Sequence, residues 1–220
     1  MYLSDMHTHS IASGHGTICT ISDMAKSAEQ KGLKLLGITD HGPATLCAGT
    51  PSYFRSLTFS PKKRFHVEIL YGVELNILDT EGTIDLDEEL LSRLDYAIAS
   101  MHAQNYRTGT REENTKAYIN VMKHPCVKIL GHCDNPHFPA DYEALAIAAK
   151  KAELLLKSTK LLSPHMDTGE IPERTTGKFF TGLESMKCLS FYQATATGQS
   201  MLEILLTQKN LFITNYFRKN

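Results

Sequence analysis

Short apolar runs recur through the first 150 residues, and each of five ends at or beside a residue that can hold a metal ion. The first is Asp5-Met6-His7-Thr8-His9, with His15 six residues further on. LLGIT at 35–39 leads into Asp40 and His41, and EILYGVEL at 68–75 carries Glu74. YAIAS at 96–100 is followed by Met101 and His102, and VKIL at 127–130 by Gly131 and His132. Between these runs lie helical stretches at 21–31, 112–123 and 141–151. The first has Thr20 or Ser22 to cap it and Gly32 where a terminal glycine belongs, Pro125 stops the second, and Asp141 caps the third. Strand–helix alternation of this kind predicts a parallel α/β fold, barrel-like or doubly wound. In a barrel the strand C-termini converge on one mouth, so residues far apart in sequence would meet there.

Side chains alternate along a strand, so His7 and His9 point the same way and can share an ion. Imidazole and carboxylate donors suit zinc, and also manganese or iron. A lone histidine is more often a satisfied structural residue than a ligand. His66 and His124 are read in that way, His124 ending a helix where a cation complements the dipole. His137 follows a proline and is read as a loop residue. Six histidines and one glutamate at or just after strands form a pattern that isolated histidines do not. Nine of the ten histidines precede residue 140, and only His165 lies beyond.

Lys and Arg total 23 against 24 Asp and Glu, a net charge of −1, which gives no electrostatic reason to expect nucleic acid or an anionic membrane as partner. No apolar run approaches the roughly 20 residues of a membrane span. The N-terminus lacks the basic and apolar regions of a signal peptide. The five cysteines form no C-x-x-C pair and are odd in number, which suits a reducing compartment and a cytoplasmic protein.

DMHTHS, His15, ITDHG, YGVELNI, SMHA and GHCDNPHFP, taken in that order, resemble the PHP (polymerase and histidinol phosphatase) family of metal-dependent phosphoesterases. The likeness is to the small stand-alone bacterial phosphatases and covers roughly residues 1–153. It implies a distorted (β/α)7 barrel, three zinc ions (manganese or iron as substitutes) and a small phosphorylated substrate. Carried over by position, His7 and His9 would hold one metal, with Glu74 bridging to another completed by His102 and His132. His15 and His41 would hold the remaining one. Hydrolysis would use water made acidic by the metals, with their charge offset against the phosphoryl oxygens. Asp40 is the candidate catalytic residue, as an acceptor behind the ligands or a proton relay, with a plain turn residue as the alternative.

The family pattern ends in Asp-x-His, which supplies one more ligand to each of two metals. This chain has no Asp-x-His after residue 150; QATATG at 193–198 stands at that distance. Joining the third base of each codon to the first two of the next lets QATATG be read as S-D-S-H-G. Residues 200–208 likewise permit H-V-G-D-F-T-Y-A, and 156–173 permit E-I-N-K-A-S-L-S-P-H-G-Y-R-G-D-T-R-E. A frame slip near 153–156 is therefore expected. It would leave a barrel portion at 1–153, an aberrant tail at 154–220 in place of the closing strands, and impaired hydrolysis. A metal-binding remnant without catalysis and an amidohydrolase-like hydrolase are the alternatives. Nucleic-acid processing is disfavoured by the balanced charge.

Overall fold

The computed structural model describes residues 4–157. His165, Cys188, the segment 193–198 and a helix expected at 201–208 lie outside the described residues.

β1 (Ser4–Thr8) leads through a 3-10 turn at Ile11–Ser13 to α1 (Ile21–Gln30) and β2 (Leu35–Ile38). Then come α2 (Pro51–Leu57), β3 (Lys63–Arg64), β4 (Val67–Asn76), α3 (Glu88–Leu91) and β5 (Tyr96–Ser100). α4 (Arg111–Val121), β6 (Val127–Leu130), α5 (Tyr142–Ala152) and β7 (Leu155–Leu156) complete the described chain. The strands form one sheet in the order β1-β2-β4-β5-β6-β7, parallel throughout, with β3 antiparallel on β4. β7 lies just past the boundary expected at residue 153 and pairs with β6.

The helices start where their chemistry requires. In α1, Thr20 and Asp23 form a reciprocal capping box, and Thr110 with Glu113 does the same for α4. Asp141 caps α5. α2 was not expected from sequence, although Thr50 as cap and Pro51 in the first turn are recognisable start signals. At seven residues it is too short to display a helical period.

β4 is buried along most of both faces, and its alternation separates two layers. Ile69, Tyr71, Val73 and Leu75 join Leu36, Ile38, Ala97 and Ala99 in the core beneath the helices, with Ala25, Ala28, Tyr118, Val121, Leu145 and Ala149. Leu70 belongs to the other face, with Met6, Leu35, Tyr96, Ile98, Ile129 and Leu155. That face is the inside of an incomplete (β/α) barrel. The curl is fixed across it: the Tyr96 hydroxyl on β5 donates to the Met6 carbonyl on β1, at 2.6 Å. Gly37 makes room for this contact, since a Cβ there would stand 2.0 Å from the Tyr96 oxygen. Among the described residues no helix is long and apolar enough to cross a membrane.

Candidate metal centre

Glu74 is four residues beyond Leu70 on β4, so the strand's period of two keeps it on the inner face, above the apolar floor. Its side chain is fully buried. Five histidines surround the carboxylate. Oε2 lies 3.0 Å from His7 Nε2, 3.3 Å from His9 Nε2 and 3.1 Å from His41 Nδ1. Oε1 lies 3.5 Å from His102 Nε2 and 3.2 Å from His132 Nε2, and accepts from the Ser100 hydroxyl at 2.6 Å. His15 completes the group from outside, its Nε2 lying 2.5 Å from His41 Nε2. All seven expected ligands therefore meet at one mouth.

The groupings differ in detail from those the resemblance implies. His9 groups with His15 and His41, His132 with His7 and Glu74, and His102 with His41 and Glu74. The donor atoms of each trio lie within 4.8 Å of one another.

Local structure delivers each candidate ligand. β2 ends at Ile38, but its line continues to an isolated bridge between His41 and Glu74. Glu74 N–H donates to the Asp40 carbonyl at 3.0 Å, and Gly42 N–H to the Glu74 carbonyl at 2.8 Å. Gly14 turns the chain ahead of His15 in the left-handed region, φ 77°, against the Leu46 carbonyl. A Cβ at Gly14 would come within 2.8 Å of that oxygen. His132 is itself left-handed at φ 53°, a conformation that costs a non-glycine residue energy and is often kept at functional sites.

The donor set fits a cation on physical grounds. Buried His7 Nδ1 and Nε2, His9 Nδ1, His41 Nδ1, His102 Nε2 and Glu74 Oε2 have no hydrogen-bond partner among the described residues. Buried polar atoms without partners are rare because each carries its full desolvation penalty. At His102 the mismatch can be followed atom by atom. Asn76 Nδ2 donates to the Asp85 carboxylate at 2.6 Å, which fixes the amide orientation because a carboxylate only accepts. Asn76 Oδ1 therefore faces His102 Nδ1 at 2.7 Å, and that nitrogen must carry the proton. In a singly protonated ring the Nε2 lone pair then faces Glu74 Oε1, acceptor against acceptor. A positive ion between them resolves the conflict.

Burial supports the same protonation states. It pulls His7 and His15 below the ordinary imidazole range and His9 down to about 3, with Glu74 opposing in each case. Burial works against ionisation of Glu74, but the histidines around it, His7 foremost, hold it well below the usual carboxylate range. Imidazoles that resist protonation, as His7, His9 and His15 do, beside a carboxylate that also resists it, are suited to ligation.

Asp40 is fully buried beside this cluster. Its carboxylate accepts from the Ser10 backbone N–H at 2.5 Å, the Ser10 hydroxyl at 2.7 Å and the Tyr53 hydroxyl. These partners tie down the residue that follows His9.

Asn76, Ser100 and Lys157 were not singled out by sequence reasoning. Asn76 and Ser100 could have been, since Asn76 shares parity with Glu74 and Ser100 with His102. Lys157 carries no such signal. His66 and His124 are where the bland reading put them, paired with Glu29 and Glu88. His137 is an exposed loop residue, as expected, but it also lines the mouth cavity.

Comparison with known proteins agrees with this architecture. The PHP domain pattern matches residues 5–162. A "probable phosphatase" of Clostridium novyi is 39% identical over 174 residues, covering 79% of this chain and 71% of that protein. A "probable phosphatase" of Acetivibrio thermocellus is 45% identical over 150 residues, covering 68% and 62% respectively. For one from Caldanaerobacter subterraneus the figures are 49% over 148 residues, covering 67% and 58%. This chain thus spans about three-fifths to seven-tenths of the length of these relatives. The crystal structure of a candidate histidinol phosphatase from Listeria monocytogenes superposes with a TM-score of 0.55 over 84% of this chain and 92% of that one. At 18% identity this likeness concerns the fold.

Proposed function

The chain belongs to the PHP domain family, and from that premise we propose that it is a metal-dependent phosphoesterase of small phosphorylated substrates, with Zn2+ as the favoured ion and Mn2+ or Fe2+ as substitutes. The observation that carries this reading is the single buried carboxylate of Glu74 within 3.5 Å of five imidazole nitrogens, several of them without partners. His7, His9, His15, His41, Glu74, His102 and His132 are the proposed ligands of up to three ions. The chemistry that divalent ions supply in such a site is acidification of water and neutralisation of phosphoryl charge.

The chain's own residues do the rest. Ser100 donates to Glu74 Oε1 and fixes the carboxylate's rotation. Asn76 holds the proton of His102 on Nδ1, leaving Nε2 free to ligate. Asp40 holds Ser10 and, through it, the backbone carrying His9; we assign it as a positioning residue rather than a proton relay. The apolar layer of Met6, Tyr96, Ile98 and Ile129 packs on the same inner face of the sheet as Glu74.

The barrel portion at 1–153, the tail at 154–220 and the frame slip between them belong to this proposal. The support for the slip is in the sequence, the missing Asp-x-His and the shifted reading of the tail; the family match runs to residue 162, a few residues past it. Loss of Asp-x-His would deprive two ions of a ligand each, so the present chain should hydrolyse poorly. The test is to load this chain and a frame-restored version with zinc and assay phosphomonoesters against amides. The restored protein should cleave phosphomonoesters and this chain far more slowly. Equal rates would contradict the impairment. Amide cleavage alone would favour the amidohydrolase-like reading, and metal binding without turnover in either protein would favour a non-catalytic role.

A further inference from the structure

The mouth cavity has a volume of about 900 Å3. Among the described residues lining it, Lys157 is the one lysine or arginine, and no Asp or Glu lines it. Lys157 follows β7 directly. Its backbone N–H donates to the Leu130 carbonyl at 2.8 Å, and its own carbonyl accepts from Cys133 Sγ at 3.5 Å. These bonds fasten it beside the turn that carries His132. The residue is 8% exposed.

A buried ammonium is expected to have a counter-ion, since an unpaired one is costly. Among the described residues Lys157 has no ion pair and no side-chain hydrogen bond. Glu74 and Asp5 attract Lys157 only through space, without an ion pair to it; Glu74 contacts the histidines and Ser100, and Asp5 accepts from the His7 backbone N–H at 3.2 Å. A buried cation on a cavity whose described lining holds no Asp or Glu has a place for an anion from outside.

We propose that Lys157 Nζ forms an oxyanion subsite on the cavity wall beside His7 and His132, where it takes a phosphoryl oxygen. The inference deepens the phosphoesterase reading and rests on it. An ammonium is a compact point charge with three donors, and it binds phosphate without demanding one orientation. Lys157 lies beyond residue 153, in the segment whose frame is proposed to have slipped, so the experiment uses this chain and not the restored one.

Inorganic phosphate is titrated calorimetrically into the zinc-loaded full chain and its Lys157→Met and Lys157→Arg variants. Metal content and far-UV circular dichroism are measured alongside. Lys157→Met should weaken phosphate binding about tenfold or more, the loss of one charge-assisted hydrogen bond, with metal content unchanged. Lys157→Arg should retain most of the affinity. Unchanged phosphate affinity in a folded Lys157→Met protein overturns the proposal, as does the absence of phosphate binding to the parent chain. A rise in metal content on substitution also overturns it, because the ammonium would then be standing in for a metal ion. Failure of the phosphoesterase reading is seen separately, as absence of phosphomonoester cleavage by the frame-restored protein.

Discussion

Glu74 and Asn76 sit two apart on one strand and divide the work at the centre. Glu74 gathers five histidines around one carboxylate, and Asn76 places a proton on Nδ1 of one of them. The Asn76 oxygen also accepts from Asn105 Nδ2 at 2.7 Å and from Thr45 Oγ1 at 3.1 Å, so its position is held from three directions. Asn76→Ala should therefore lower metal affinity about 10- to 100-fold, as loss of an orienting partner does at histidine sites. Competition against a chelating dye would measure this; an affinity equal to that of the parent would mean that His102 needs no such support.

Elements contribute through two different kinds of constraint. The capping box of α1 is local, so Thr20→Ala should cost about 1 kcal/mol wherever the helix packs. The Gly37–Tyr96 approach is global, because it ties β2 and β5 to the hydroxyl that reaches Met6 on β1. Gly37→Ala should cost about 1–3 kcal/mol through overpacking, and should also lower metal affinity by loosening the curl that brings His7 towards His132. Urea denaturation of both variants, with metal titration alongside, separates the two cases. Equal metal affinity in Gly37→Ala would detach the curl from the site.

For the whole molecule, the direction of the pKa shifts fixes the pH response of the metal-free protein. His9 falls from an ordinary 6.5 to about 3 in the fold, so between those values the unfolded chain binds the extra proton and the folded chain does not. Stability rises with pH wherever the unfolded state binds more protons. The contribution is thus complete above about pH 6.5 and is lost as pH falls toward 3. Glu74, also shifted down, acts in the same sense below its ordinary value of 4.5. Thermal melting of the metal-free chain should show a midpoint falling steadily from pH 7 to 5, and zinc at neutral pH should raise it. A midpoint flat across that range would mean that the histidines are not held neutral by the fold.

The strands at 96–100 and 127–130 and the helix starts at Thr20, Thr110 and Asp141 were legible because each depends on local spacing and caps. Six of the seven candidate ligands were legible for a related reason: each sits near or just past the end of a strand, and parallel strands bring their ends together, while His15 reaches the group from the loop after β1. What sequence could not supply was the partnering of atoms. That Glu74 is the hub, that Asn76 meets His102, that Asp40 accepts from Ser10 and Tyr53, and that Lys157 lines the cavity all follow from how far the sheet curls. Curl is set by contacts between residues distant in sequence, such as Tyr96 with Met6 ninety positions apart, and no local pattern encodes these.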